Sequence, residues 1–490
     1  MAALLTAPLK PAVWRGPGPT AWLAAALAVL AGVAAVELGT KALLLTAALP
    51  VALALLAQPR WAFWLLVAAL PVTVELGAGI TVSRVVVPLV VLSVLLNALL
   101  GRCAFPNPLA STPARVGLAF FMVAALAWLT AAGWSPGMLD PELRSVEANA
   151  NVTRLVIFML TLSLVRTPED ARGAIRVLVV AATLEALLVV AQVKLRFVLP
   201  GNWRASAMGN VAESAGDFRA DGTTAHPIYL AGYLQMVMPF AAAMLWRGRP
   251  LLRLVGAAVL ALLVYAWAAA VSRSSMLGLA AMAVVALCLW TPASRALVIA
   301  LAVGFVLALA AHGWSLSALS VTVEQFRNFG RGLSADQLTS SSGALQFRLE
   351  STLGGWNLFL AHPLTGVGLG QVRHHYMAYL PEWAHSPFHP VDIHNVFTAV
   401  AAESGGFALL LLLALWVLAL RGLHRAWRDP ALRPIAGPLL VALVGQLVFV
   451  SLTPMVREMW FTLALACALG LQARARAAGP HSPEPMRTAP

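Results

Sequence analysis

Apolar positions in this chain come in long runs, not in alternation. Stretches of about 16–22 apolar residues recur between residues 20 and 472, separated for the most part by short segments carrying Arg, Pro and Gly. An α-helix rises 1.5 Å per residue, so about 20 such residues cross a bilayer. A transmembrane β-barrel would instead show short alternating segments. The runs 20–36, 41–57, 61–78, 85–101, 116–133, 153–166, 174–193, 227–246, 252–270, 275–290, 296–311, 395–420, 435–452 and 458–472 are candidate spans. The pattern predicts an all-α polytopic integral membrane protein of about 12 helices, or up to 14 if every short run is a full span. Either number is even and puts both termini on one side.

One polar stretch of about eighty residues, His312 to Ile393, breaks the sequence of spans, and with His394 it carries seven of the ten histidines. Two other connecting segments are long, 134–152 and 194–226, and loops of this size are usually functional or disordered. Within the large loop, Phe347-Arg348-Leu349-Glu350 and Trp356 to Leu360 carry an amphipathic pattern that predicts at least two short helices lying over the membrane face. The run Gly366-Val367-Gly368-Leu369-Gly370 favours a tight turn over a phosphate cradle. The chain reads as a single membrane domain, 1–472, including the loop 312–394. A Pro-bearing tail at 473–490 is expected to be disordered, and no soluble domain is expected on either side. The first apolar run reads as an uncleaved helix, because spans follow it closely.

Charge adds an orientation. Only 11% of residues are charged, against about 25% in soluble domains. With the N-terminus inside, nineteen of the 33 basic residues fall on inner segments, among them Lys10, Arg60, Arg166, Arg172, Arg428 and Arg476. This follows the positive-inside rule and predicts cytoplasmic termini with the large loop outside. The net charge of +13 is thus a topology signal. No basic–aromatic motif accompanies it, so no nucleic-acid partner is expected. Three cysteines, Cys103, Cys288 and Cys467, lie far apart and imply neither a disulfide framework nor a thiolate metal site. The loop residues His362, His374, His375, His385 and His389 match no zinc spacing.

Candidate chemistry sits where loop meets membrane. His394 would occupy the first turn of the helix that follows, sharing a face with the small residues Thr398, Ala401 and Gly405, while Glu403 points elsewhere. An imidazole there can act as a general base near neutral pH, or it can cap the helix at the interface. Arg273 lies in the short outer turn Ser272-Arg273-Ser274-Ser275, and Arg348 begins the amphipathic piece of the loop. Guanidinium forks suit a lipid diphosphate, which needs more than one cation; each can equally snorkel to headgroups. Arg219 is a third candidate, with an ion pair to Asp217 or Asp221 as its other reading. Lys41 and Arg84 add positive potential at outer edges. Glu185, within an apolar span, is either functional or a structural hydrogen-bonding group.

These residues carry a resemblance. In order along the chain stand Arg219-x-x-Gly222 with His226-Pro227, then Ser272-Arg273-Ser274. Arg348 follows with Trp356, His362-Pro363, Gly366 and Gly368, and last come His394-Asn395 with Glu403 and Gly405-Gly406. Together they resemble the O-antigen ligase and polymerase superfamily, and most of all an O-antigen ligase. Val396 departs from the ligase histidine signature and Asn395 comes one place early. The resemblance implies a glycosyltransferase at the periplasmic face of the bacterial inner membrane. It would move a glycan from undecaprenyl diphosphate to a sugar hydroxyl of lipid A–core in lipopolysaccharide assembly. The implied displacement is inverting, metal-independent and cofactor-free. On this reading His394 is the catalytic base and Arg273, Arg348 and Arg219 bind the donor diphosphate.

Two rivals stay open. An O-antigen polymerase or a protein O-oligosaccharyltransferase would use the same donor with another acceptor. A lipid-linked glycan flippase or secondary transporter would place charges at the midplane in repeated halves; here polar residues cluster outside and no repeat is visible.

Overall fold

A computed structural model describes residues 50–73, 81–102, 109–134, 141–197, 220–247 except 225, 250–289 except 271, 344–384 except 383, and 393–478, with a few isolated positions besides. The expected span 20–36, all of 296–311 but 298–300 and 303, the start of 41–57, Lys41, Arg219, His385, His389 and the tail beyond 478 lie outside the described residues. All the regular elements described are helical. They are α1 (Pro50–Ala57), α2 (Pro59–Ala68), α3 (Val82–Leu99), α4 (Thr112–Trp134), α5 (Pro141–Leu164), α6 (Pro168–Leu195) and α7 (Pro227–Arg247). Then come α8 (Pro250–Ala269), α9 (Arg273–Leu289), α10 (Ala344–Ala361), α11 (Val372–His375), a 3-10 turn at Tyr376–Tyr379, α12 (Val396–Arg428), α13 (Arg433–Val450) and α14 (Arg457–Ala477). Among the described residues 7 helices are long and apolar enough to cross a bilayer, or 8 if the bent pair α1–α2 counts as one span. The protein is an all-α polytopic membrane protein, as its hydropathy predicts.

Helix starts follow local chemistry. Pro59, Pro168 and Pro250 open their helices, where the missing N–H costs nothing. At α6 the Thr167 hydroxyl accepts from the Asp170 N–H (3.2 Å) and the Asp170 carboxylate accepts from the Thr167 N–H (3.0 Å). Asp170 also pairs with Arg60 at 3.1 Å, so α2 and α6 begin at the same end of the bundle. The short connection 429–432 makes α12 and α13 antiparallel neighbours, and Gln472 Nε2 donates to Val165 C=O at 3.1 Å, joining α14 to the α5–α6 turn. Arg60, Arg166, Arg172, Arg428, Arg433 and Arg476 thereby gather at one face, and Arg476 ties the end of α14 to Asp429 at 2.8 Å.

The core is a helix buried on nearly all sides. In α14, Met459 to Leu469 are almost wholly enclosed, as expected of a helix apolar all round. Trp460 packs against Phe120, Phe121 and Phe158 of α4 and α5. α12 crosses α14 where Gly422 faces Gly470, and a methyl on Gly470 would strike the Gly422 Cα. Lipid gives no hydrophobic push between helices, so close backbone approach at small residues supplies the packing.

Three boundaries differ from the sequence pattern. The segment 141–152 is not loop but the first half of α5, in which Asn151 is buried. α14 runs to Ala477, past the expected start of a disordered tail at 473. The two amphipathic pieces of the loop fall in one helix, α10, and the short α11 follows it as a second loop helix.

The strongest departure is in α12, which breaks at Gly405 (φ 80°, ψ 177°). Gly406 N–H would otherwise bond Ala402 C=O; it donates to Pro363 C=O at 2.8 Å. The two freed carbonyls accept from the glycine turn instead, Val367 N–H to Ala402 C=O and Gly368 N–H to Glu403 C=O, each at 2.9 Å. Gly366 sits at φ 63°, and a Cβ there would collide with the Glu403 and Ala402 backbone. The glycine run is a turn that interlocks with a helix break. Gly366→Ala is expected to destabilise the protein by about 2 kcal/mol, from a left-handed backbone combined with a backbone clash. The thermal midpoint in detergent checks this; an unchanged midpoint contradicts the interlock.

Candidate functional site

The site lies at the end of the bundle opposite the arginine-rich face. Two helices begin there. α9 starts at Arg273, and Ser272 caps it, its hydroxyl accepting from the Ser275 N–H at 3.4 Å. The Ser275 hydroxyl is fixed in turn, accepting from Trp267 Nε1 (2.8 Å) and donating to Ser272 C=O (2.7 Å). α12 starts at Val396, capped by Asn395, whose Oδ1 accepts from the Phe397 and Thr398 N–H groups at 3.0 and 3.1 Å. Helix N-termini present unsatisfied N–H groups and a positive dipole end, which suit an anionic ligand.

His394 therefore sits one place before the cap, outside the helix. The expected face shared with Thr398, Ala401 and Gly405 does not hold: the asparagine takes the capping position and the helix breaks at Gly405. His394 is half-buried, and Ile393 beside it is 2% exposed.

α10 joins the two helix starts. Arg348 Nη1 donates to the Ser274 hydroxyl at 2.8 Å, one residue along from Arg273, and Ser274 donates on to Leu452 C=O at 3.4 Å in the α13–α14 turn. Seven residues further along α10, and so on the same face, lies Gly355. A Cβ on Gly355 would strike Ile393 Cδ1 and lie 3.1 Å from Thr398 Cγ2. One face of α10 thus touches the α9 start at Arg348 and the residues flanking His394 at Gly355, about 10 Å apart along the helix. Arg273, Arg348 and His394 are brought to one region by this helix. The fourth candidate, Arg219, lies outside the described residues, but the turn that follows it is described.

That turn is bound to α6. Glu185, 5% exposed, accepts from the Thr223 N–H at 2.9 Å with one oxygen and from the Thr223 hydroxyl with the other. Gln192 Oε1 accepts from the Gly222 N–H at 2.8 Å, and its Nε2 donates to Gly222 C=O and to Asp221 Oδ1, each at 3.2 Å. Glu185 thus has the structural role of its two readings. Thr73 reaches the same turn, its N–H and hydroxyl donating to Thr223 C=O at 3.0 and 3.1 Å. His226 begins α7: its Nδ1 accepts from the Ile228 N–H at 3.1 Å, so the His226-Pro227 pair is a helix start.

Glu403 is likewise structural. Its Oε1 accepts from the Gly370 N–H at 3.1 Å, pinning the end of the glycine turn. His362, His374 and His375 gather beside Tyr379, whose hydroxyl is 3.3 Å from His362 Nε2. Among the described residues no three His, Cys, Asp or Glu are arranged to hold a metal ion. Sequence reasoning missed Ser274 as the tether of Arg348, the Gly354-Gly355 contact face of α10, and the Thr73–Thr223 strap. Only the serine carried a local signal, its place beside Arg273.

Burial holds the His375 imidazole below its ordinary value of 6.5, and neighbouring His374 and His362 add to this. The folded loop then binds fewer protons than the unfolded one. Its contribution to stability is fully present above about pH 6.5 and is lost as pH falls through the lowered value. Limited proteolysis of segment 362–380 is expected to quicken between about pH 7 and pH 5. His375→Gln should flatten that dependence; an equal acceleration in the variant counts against the assignment. For the turn at α6, Glu185→Leu should cost about 1–3 kcal/mol by leaving the Thr223 N–H without its acceptor, with Glu185→Gln much milder, read by thermal unfolding.

Among curated proteins none matches the chain at a significant level. Residues 257–413 match the family described as O-antigen ligase. The match takes in Arg273, α10 with Arg348, the glycine turn, His394 and the α12 break; the Arg219–Pro227 block precedes it. Over the region that builds the site, residues 257–413, the chain is thus similar to the O-antigen ligase family.

Proposed function

We propose that the protein is an O-antigen ligase, transferring a glycan from undecaprenyl diphosphate to a sugar hydroxyl of lipid A–core at the periplasmic face of the inner membrane. The observation that carries this reading is the shared face of α10. It tethers Arg348 beside Arg273 at one helix N-terminus and packs against the residues on either side of His394 at another. Anion-binding groups and an acid–base group meet at the membrane boundary, where a lipid diphosphate and an acceptor hydroxyl can be held together. The arginine-rich opposite face supports cytoplasmic termini and a periplasmic site.

In this mechanism His394 removes the proton from the acceptor hydroxyl as its oxygen attacks the anomeric carbon. The bond from that carbon to the diphosphate oxygen breaks with inversion. The diphosphate departs as an anion, held by Arg273, Arg348 and Arg219, and the proton stays on the imidazole. Charge stabilisation at the leaving group makes a separate general acid unnecessary. Holding two lipids at one interface supplies much of the remaining acceleration.

Purified protein, lipid-linked glycan and lipid A–core, with EDTA present, test the proposal. Wild type should build a glycan ladder on lipid A–core. His394→Ala should lower transfer by about a thousandfold while leaving donor binding nearly intact. Arg348→Ala and Arg273→Ala should weaken donor binding as well, and Ser274→Ala should lower transfer only a few-fold through the loosened Arg348. Transfer retained in His394→Ala removes the general base from the mechanism. Lengthening of the donor glycan without transfer to core identifies a polymerase instead.

A further inference from the structure

We infer that the open side of α10 is seated in the outer leaflet of the bilayer, with Trp356, Leu360 and Leu364 in contact with lipid. α10 is apolar on two sides. One side, with Gly354, Gly355 and Leu358, is buried, and there Gly355 approaches Ile393 and Thr398. The other carries Leu353, Trp356 and Leu360, three or four residues apart and so on one face. Trp356 is 43% exposed and Leu360 59%, and Leu364, just past the end of the helix, is 83% exposed. From Ser351 to Gly370 the chain holds no Asp, Glu, Lys or Arg. A helix whose open face meets water carries charged or polar groups there. This face has an indole and two leucines.

The two ends of α10 place it at the membrane boundary. Near its start Arg348 donates to Ser274, in the first turn of α9, and Ser274 donates to Leu452 C=O in the α13–α14 turn. About 20 Å further along, just past its end, Pro363 C=O accepts from the Gly406 N–H at 2.8 Å. From Gly406 to Arg428 on the arginine-rich face, α12 rises about 33 Å, slightly more than the hydrocarbon core of a bilayer. Gly406 therefore stands at the outer boundary. With both ends tied to the outer ends of membrane helices, α10 runs along that boundary instead of rising from it.

The apolar surface is also continuous with one that lipid covers. Phe407 and Leu410 are 59% and 64% exposed and open the lipid-facing side of the α12 span. Leu364 and Phe407 flank the Pro363–Gly406 bond, and a Cβ on Gly405 would strike the Leu364 C=O. The side of α10 thus runs into the side of α12, and the occupant of one is the occupant of the other. A helix of this kind sinks its apolar face about 5–10 Å into the boundary between headgroups and acyl chains, and tryptophan favours that depth. α10 carries Arg348 and the contact with Ile393 and Thr398, so the leaflet fixes the depth at which those residues stand. Nothing in this depends on which reaction the protein performs.

The test uses the full-length protein, one copy per nanodisc of phosphatidylethanolamine and phosphatidylglycerol. A nitroxide is coupled to p-azidophenylalanine replacing, in turn, Leu360, Leu364, Leu410 and the exposed loop residue Glu382. Collisions with oxygen, which concentrates in lipid, are compared with collisions with a water-soluble nickel chelate. The labels at 360 and 364 should favour oxygen, as the label at 410 does, while the label at 382 favours the chelate. Labels at 360 and 364 that favour the chelate overturn the inference. So do labels shielded from both reagents, since a protein segment then covers the face. A second measurement needs no label. Leu360→Glu with Leu364→Glu changes only exposed side chains and should keep the thermal midpoint. Amide exchange across 353–364 should quicken several-fold in the same discs, and Leu360→Met with Leu364→Met should leave it unchanged. Unchanged exchange in the charged variant, or equal quickening in both, overturns the lipid seat.

Discussion

The exchange of hydrogen bonds between the glycine turn and the break in α12 is the constraint on which the site depends. A helix that breaks at Gly405 leaves the Ala402 and Glu403 carbonyls without their usual donors, and a buried carbonyl without a partner is costly. Val367 and Gly368 supply those donors, and Pro363 C=O takes the Gly406 N–H in return. Neither half is stable alone: the turn needs acceptors for three glycine-permitted strained positions, and the break needs donors. Their pairing fixes the first turns of α12, and with them Asn395 and His394, against the end of α10.

From there α10 acts as a rigid spacer. It is clamped by Asn357 Nδ2 donating to Tyr379 C=O at 3.0 Å and by the Gly354-Gly355 face, which lets the 3-10 turn and Ile393 approach closely. Its own Arg348 then reaches the α9 start. Elsewhere the same economy of buried polar groups holds. Ser93 Oγ and Asn97 Nδ2 cap the carbonyls of Leu55 and Leu56, each at 2.7 Å, where the chain bends 114° between α1 and α2. Glu185, Gln192, Thr73 and Arg457 hold two irregular segments together.

Placing these contacts divides the ordered blocks that carry the family resemblance into two kinds. His226-Pro227 starts a helix, and Gly366, Gly368, Glu403 and Gly405-Gly406 form the interlock. Their chemistry is architectural. In the proposed function, Arg273 and Arg348 at one helix start and His394 at the other, with Arg219 just ahead of the bound turn, are the groups that meet substrate.

Sequence alone determined the class of fold. Runs of about twenty apolar residues cannot be buried in any other way than as membrane helices, and the unequal distribution of arginine gives those helices a direction. It also offered Arg273, Arg348 and His394 as candidates, because charged or titratable side chains next to such runs are few. Hydropathy is a one-dimensional average, however, and several decisions are three-dimensional. That α2 ends after 10 residues, that 141–152 is helix, and that Glu185 ties a turn rather than serving chemistry all depend on partners far away in the chain. His394 lies outside its helix because Asn395 is the better cap. The break at Gly405 is invisible in an apolar run, since the donors that make it tolerable come from a turn about forty residues earlier. Local sequence sets which elements form; only tertiary packing decides where a backbone carbonyl finds its proton donor, and so where helices stop, bend and meet.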